Sequence, residues 1–201
     1  MSAPTTFTRV IHGVTVRVSM AEAFAPQADG YFTIFESLPA SALADGTTIQ
    51  AGWGYLRPRA QPGGSVILTA PDHAGATAEW VTDLTTEAFV LTSQIEAIRR
   101  LGVEPQQCLA PDRIVVEQGA LTAPAVYFHR TATNSANDSG WFLGLAVRAD
   151  RKELSSLPAY ALMQSRPELV PYLMLPDEHM VFVRDSVVTS VRSPTSDELL
   201  N

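Results

Sequence analysis

The chain has 201 residues, with fourteen basic side chains against twenty-one acidic ones and a formal charge of −7. Apolar residues make up 46% and charged residues 17%, a balance that fits a packed core and excludes global disorder. The pI near 5.0 disfavours nucleic acid and anionic membrane surfaces as partners unless the arginines gather into one patch.

Residues 7–18 are rich in β-branched side chains, and Val14, Val16 and Val18 alternate with Thr15 and Arg17 as in a strand with one buried face. A short strand is predicted at Tyr31–Phe35, then a helical turn and loop from Ser37 to Gly46. Strands follow at Thr48–Leu56 and Ser65–Thr69, joined by turn chemistry from Pro58, Pro62 and Gly63-Gly64. The clearest helix runs from about Leu84 to Leu101. Thr82 or Asp83 caps it, Leu84, Ala88, Leu91, Ile95 and Ile98 form its apolar stripe, and Gly102 ends it.

Beyond the Gly102–Pro105 connection, strands are predicted at Arg113–Val116, Ala125–His129 and Trp141–Val147. A polar loop, Thr131–Gly140, separates the last two. A short helix is predicted from near Ser156 toward Ser165, with Pro158 in its first turn, and Pro167 and Pro171 then make a compact connection. Strands at His179–Arg184 and Ser186–Val191 precede a polar tail. Strands without βαβ alternation predict an α+β fold, largely antiparallel sheet with a few packed helices. The expected domains are 1–105, an N-terminal α+β half, and 106–201. Gly52-Trp53 and Gly140-Trp141 each open a strand-like segment, which raises duplication into two similar halves without deciding it.

Most catalytic signatures are missing. The chain has no Gly-x-Ser-x-Gly elbow, no phosphate-binding loop and no dinucleotide glycine fingerprint, and its one lysine is Lys152. His12, His73, His129 and His179 are far apart, so Asp72-His73 and Asp177-Glu178-His179 read as loop charges rather than metal ligands. One cysteine, Cys108, excludes an internal disulfide and reads as a buried, inert thiol. Asp138-Ser139-Gly140 matches the aspartic-protease triplet, but it lacks a second copy and an apolar lead-in; it reads as a tight turn before Trp141. No cofactor and no metal is expected. No stretch approaches the ~20 apolar residues of a membrane helix, and the N-terminus lacks a secretory pattern, so the expected compartment is the cytoplasm.

Several blocks in order carry a resemblance: Asp112–Gly119, Val126-Tyr127-Phe128-His129-Arg130, Asp138-Ser139-Gly140-Trp141, Leu154–Leu173 with Pro167–Leu173 at its end, and Val181–Arg184. From about Leu109 to Val191 the chain resembles a family of bacterial immunity proteins from polymorphic-toxin systems, with an Asp-Ser-Gly-Trp core motif. Gly52-Trp53, Ala70-Pro71-Asp72, Trp80, Asp83-Leu84-Thr85 and Gln94 are similar to the family's longer members. The chain departs from the pattern after Trp141: Leu145-Ala146-Val147-Arg148 is apolar then basic where many relatives are acidic.

The resemblance implies an inhibitor rather than an enzyme, one that binds and neutralises a cognate toxin domain. An acidic inhibitor suits a toxin that is basic at its active site. The expected toxin-binding residues are Trp53, Tyr55, Arg130, Asp138 and Trp141, with a core role competing for both tryptophans. An effector adaptor or chaperone, and an enzyme reversing a toxin's modification, are the alternatives.

Overall fold

One tight turn folds the first β-branched run back on itself. In the computed structural model, which describes residues 3–73, 79–147 and 153–194, β1 (Thr5–Ile11) and β2 (Val14–Met20) pair antiparallel across His12-Gly13. Both turn residues have positive φ, 51° and 80°, as a two-residue turn between right-twisted strands requires. Ile11, Val16, Val18 and Met20 are buried on the inner face.

The strand expected at Tyr31–Phe35 is instead part of helix α1 (Ala25–Ser37). Pro26 starts it without losing a needed N–H, and Ala28, Tyr31, Phe32 and Phe35 bury one face at helical spacing. After a 3₁₀ turn at Ala40–Leu43, the single strand expected over Thr48–Leu56 is divided. β3 (Ile49–Ala51) and β4 (Gly54–Ala60) form a hairpin whose two turn residues are Gly52 and Trp53. Gly52 takes a φ of 63° there. Pro58, expected in the next connection, lies inside β4 opposite Leu68. β3 pairs no further along β4 than Leu56, so the missing N–H of Pro58 breaks no ladder bond on that side. β5 (Val66–Pro71) joins β2 in parallel and β4 antiparallel, and β6 (Trp80–Val81) pairs with β5. The sheet runs β1-β2-β5-β4-β3.

Helix α2 (Thr85–Leu101) matches the predicted helix, with Asp83 Oδ1 accepting from the Thr85 amide at 3.0 Å. Its buried residues include Leu84 just before it, then Glu87, Ala88, Gln94 and Ala97, whereas Ile95 of the predicted stripe is 41% exposed. The chain divides into two compact units, Met1–Thr92 and Ser93–Asn201, with the division inside α2.

In the second unit, β7 (Arg113–Glu117), β8 (Ala125–Arg130) and β9 (Asp138–Leu145) come first. The helix expected from Ser156 is displaced. Leu154–Pro158 is β10, an edge strand that among the described residues pairs only with β7, where a terminal proline is tolerated. Helical geometry begins after Pro158, with a 3₁₀ turn at Ala159–Ala161 and α3 (Leu162–Ser165). A 3₁₀ segment at Pro167–Tyr172 leads to β11 (Met180–Arg184) and β12 (Val187–Arg192). Asp185 and Ser186 turn this hairpin with φ of 50° and 61°. The sheet order is β10-β7-β9-β8-β11-β12, with β7 and β9 its parallel pair. Arg148–Lys152 and the tail after Pro194 lie outside the described residues.

The fold is α+β, with two mixed sheets of six strands. In each, one strand pairs in parallel with the second strand of a later hairpin: β2 with β5, and β7 with β9. Chain order differs, since β1 precedes β2 whereas β10 follows β9. The two Gly-Trp pairs also occupy different places, a turn for Trp53 and strand β9 for Trp141.

Candidate functional site

Arg130 ends β8 with its side chain on the inner face of the second sheet, only 3% exposed. Its guanidinium donates to the carbonyls of Ser139 (3.0 Å), Gln106 (3.0 Å), Gln107 (2.7 Å), Leu173 (3.3 Å) and Leu175 (2.6 Å). Asp177 Oδ1 lies 3.7 Å from Nε. Burial lowers the Arg130 pKa, and Cys108, Asp177 and Asp112 counter that shift. The five N–H groups of its rigid, planar fork let Arg130 tie three separate segments together. Trp141, opposite Arg130 on β9, is 1% exposed, stacks on Phe128 with ring centroids 3.9 Å apart, and donates Nε1–H to Leu173 O. Two aromatic rings packed this way contribute roughly 0.5–1.5 kcal/mol beyond the area they bury.

Asp138-Ser139-Gly140, expected as a tight turn ahead of a strand starting at Trp141, is instead the start of β9, and the turn lies just before it at residues 136–137. Asp138 Oδ1 accepts from Gly140 N at 3.0 Å, and Ser139 Oγ accepts from Trp141 N while donating to Arg113 O. Asn137 and Gly140 have φ of 62° and 74°. The register between β7 and β9 slips at this point, from Arg113 opposite Asp138 to Val115 opposite Phe142, which is a bulge. A Cβ on Gly140 would lie 2.1 Å from Thr131 O. Asp138 itself is half-buried, and its second oxygen accepts from Thr133 Oγ1.

In the first unit, Trp53 is 1% exposed and donates Nε1–H to Glu87 Oε2 at 2.6 Å. His73 Nε2 lies 3.3 Å from Glu87 Oε1, and its ring meets the Trp53 ring edge-on at 5.3 Å. Burial and then the Glu87 charge push the Tyr31 phenol above its ordinary range. Tyr55 sits on β4 opposite Gln50, half-buried. Sequence reasoning missed Glu87, because an acid in the first turn of a helix reads as a partner of the helix dipole. A usable signal was the glycine on each side of Trp53: a Cβ on Gly54 would lie 2.7 Å from Glu87 Oε2, so the turn packs directly on the carboxylate.

The second sheet has another face, which sequence reasoning did not single out. Val115, Phe142, His129, Met180 and Arg192 form one row across five strands, and Tyr127 lies opposite Phe182 in the next. Val115, Phe142, His129, Met180, Tyr127 and Phe182 are all half-buried, in contrast to the closed inner face. Tyr127 and Phe142 lie 5.8 Å apart over Gly144, where a Cβ would meet both rings. Arg192 sits over the Phe182 ring at 5.1 Å, and His129 Nε2 is 3.9 Å from the exposed Glu178.

The five residues selected from sequence thus fall in two places. Arg130, Asp138 and Trp141 come together around the β9 bulge, whereas Trp53 lies in the β3–β4 turn of the other unit and Tyr55 just after it on β4. Cys108 is 1% exposed, and burial pushes its thiol pKa up to about 12. Among the described residues, no group of three or more His, Cys, Asp or Glu is placed to hold a metal ion, and no helix is long and apolar enough to cross a membrane. The family model described as Imm33-like domain matches residues 93–193, starting at the residue where the second unit begins. No curated protein and no solved structure matches the chain.

Proposed function

Because the chain belongs to the Imm33-like domain family, we propose that it is an immunity protein that neutralises a cognate bacterial toxin domain by forming a stoichiometric complex with it. The observation that carries this is the coincidence of the family match with one whole compact unit, so the recognisable region is a folded module and not a local motif. The mode is inhibition by binding, in the cytoplasm of the producing bacterium. A stable complex of this kind buries on the order of 1,600 Å² in total.

Rigidity supports such a role. A surface held in its bound shape before association loses less conformational freedom on binding, and the five-carbonyl clamp of Arg130 holds loops at residues 106–107 and 173–175 against the sheet. Asp138 and Tyr55, both partly exposed, are proposed as direct contacts. Trp53, Arg130 and Trp141 are buried and are proposed to act through the surface they hold in place.

The test is co-expression with the toxic domain encoded beside this chain, scoring survival and then co-purification. Survival with a one-to-one complex is the expected result. Survival without a complex would point to reversal of the toxin's chemistry, and a complex without survival to an adaptor.

A further inference from the structure

Beside the aromatic rows of the second sheet lies a groove of about 390 Å³, lined by Ala125, Ala146, Phe182, Arg184, Thr189 and Arg192 among others. The small side chains of Ala125 and Ala146 leave the space, and the half-buried Phe182 ring forms an apolar wall. The lining contains two arginines and no carboxylate. Both arginines are exposed, and among the described residues neither makes an ion pair. The nearest acid in sequence is Asp185, in the turn beyond Arg184.

The spacing is set by the ladder. Arg192 pairs with Met180, and Arg184 is the fourth residue after Met180 on the same strand, with Phe182 midway. At about 3.3 Å per residue the backbone positions of the two arginines are roughly 13 Å apart along the strands, with Phe182 between them. Arg192 is already held over that ring, which lowers the entropy lost when it engages a partner. This local cationic groove stands on a chain whose formal charge is −7, so it attracts an anionic partner only at short range, within about one Debye length.

We infer that this groove docks an acidic segment of the toxin, with carboxylates reaching Arg184 and Arg192 and an apolar side chain resting on Phe182. The inference rests on the immunity reading and adds the chemistry of the partner's surface. It also changes the expectation drawn from net charge, since the toxin surface met here is acidic and is not a basic substrate cleft. Interfacial arginines and aromatic rings are the side chains that most often dominate binding energy, so the groove is the place to look for it.

The experiment titrates a catalytically silent form of the toxic domain encoded beside this chain with the full-length chain. The variants are Arg184→Glu, Arg192→Glu, the double variant, Phe182→Ala, and Arg59→Glu on β4 as an exposed control. Thermal melts first establish that each is folded; Arg184→Ala and Arg192→Ala replace any that is not. The expected result is a loss of at least tenfold in affinity for each arginine variant, more for the double, with no change for Arg59→Glu. Raising salt should weaken the wild-type complex and have little effect on the double variant. Wild-type affinity in the folded double variant overturns the groove while leaving the immunity reading intact. Failure of the wild-type chain to bind or protect overturns the immunity reading itself. If the substitutions abolish self-association in light scattering and leave toxin affinity unchanged, the occupant is a second copy and the proposal falls.

Discussion

Arg130 and Trp141 stand opposite each other on β8 and β9 and donate to the same acceptor, the Leu173 carbonyl, at 3.3 Å and 3.0 Å. Two strand residues thereby hold the chain just after the Pro167–Tyr172 segment, and the Arg130 guanidinium extends the same clamp to residues 106, 107, 139 and 175. The loops around the sheet are positioned by buried side-chain donors rather than by their own secondary structure.

Removing that clamp leaves several buried carbonyls without a donor. Arg130→Ala should therefore cost about 3–5 kcal/mol, in the range for deleting one partner of a buried charged network. Arg130→Lys keeps the charge but replaces the planar fork with a single ammonium, and should recover less than half of the loss. Urea unfolding at neutral pH, followed by tryptophan fluorescence, reads both values. A midpoint for Arg130→Ala within error of wild type would contradict the clamp.

Gly140 and Gly13 share a left-handed backbone, with φ of 74° and 80°, yet their surroundings differ. A Cβ at Gly13 meets nothing within 4 Å, whereas one at Gly140 would overlap the Thr131 carbonyl. Gly13→Ala should cost about 1 kcal/mol, the penalty for an L residue in that conformation. Gly140→Ala adds a clash with backbone and should leave the second unit unfolded or displace the β9 bulge. Melting temperatures of the two variants, measured side by side, separate conformational preference from lack of space.

How much of this was legible follows from the range of the forces involved. Helix α2, the β11–β12 hairpin and the bonds of Asp138 and Ser139 to nearby amides are set by neighbours in sequence, through caps, alternation and short side-chain contacts, and all three were visible, although Asp138–Gly140 opens β9 and is not the turn itself. Tyr31-Phe32-Thr33-Ile34-Phe35 misled because aromatic and β-branched residues favour strands locally. Burial of Ala28, Tyr31, Phe32 and Phe35 on one helical face outweighs that preference. Arg130 was singled out, but four of its five carbonyl acceptors come from segments more than twenty and forty residues away, and no local pattern specifies them. The Arg184–Phe182–Arg192 groove was hidden for a similar reason, because it exists only once β11 and β12 are in register.

Glu87 is the buried acceptor for the Trp53 indole. Glu87→Ala removes the carboxylate and leaves that N–H inside the protein without its acceptor, which should cost about 2–3 kcal/mol. Glu87→Gln keeps an acceptor oxygen and should cost about 1 kcal/mol. Chemical denaturation measures the difference. Equal losses for the two variants would mean that the carboxylate charge, which both remove, and neither packing volume nor the acceptor oxygen alone, is what Glu87 contributes.

Cys108 and Tyr31 give the protein a predictable response to alkali. Burial is the main cause that raises both pKa values, with the Cys108 thiol reaching about 12. In the unfolded chain a thiol loses its proton near pH 8.5 and a phenol near pH 10. Above those values the unfolded state binds fewer protons than the folded state, so stability falls as pH rises. The stabilisation is fully present below pH 8.5 and declines above it, by at most about 1.4 kcal/mol per pH unit for each group. Cys108→Ala should flatten the decline between pH 9 and 10 and leave the steeper part above pH 10, where Tyr31 acts. The same burial protects the thiol in the folded state. At pH 8 iodoacetamide should modify Cys108 only as fast as the second unit opens, and denaturant should bring the rate to that of a free thiol. Rapid modification of the folded protein would show that the thiol is neither buried nor held in its protonated form.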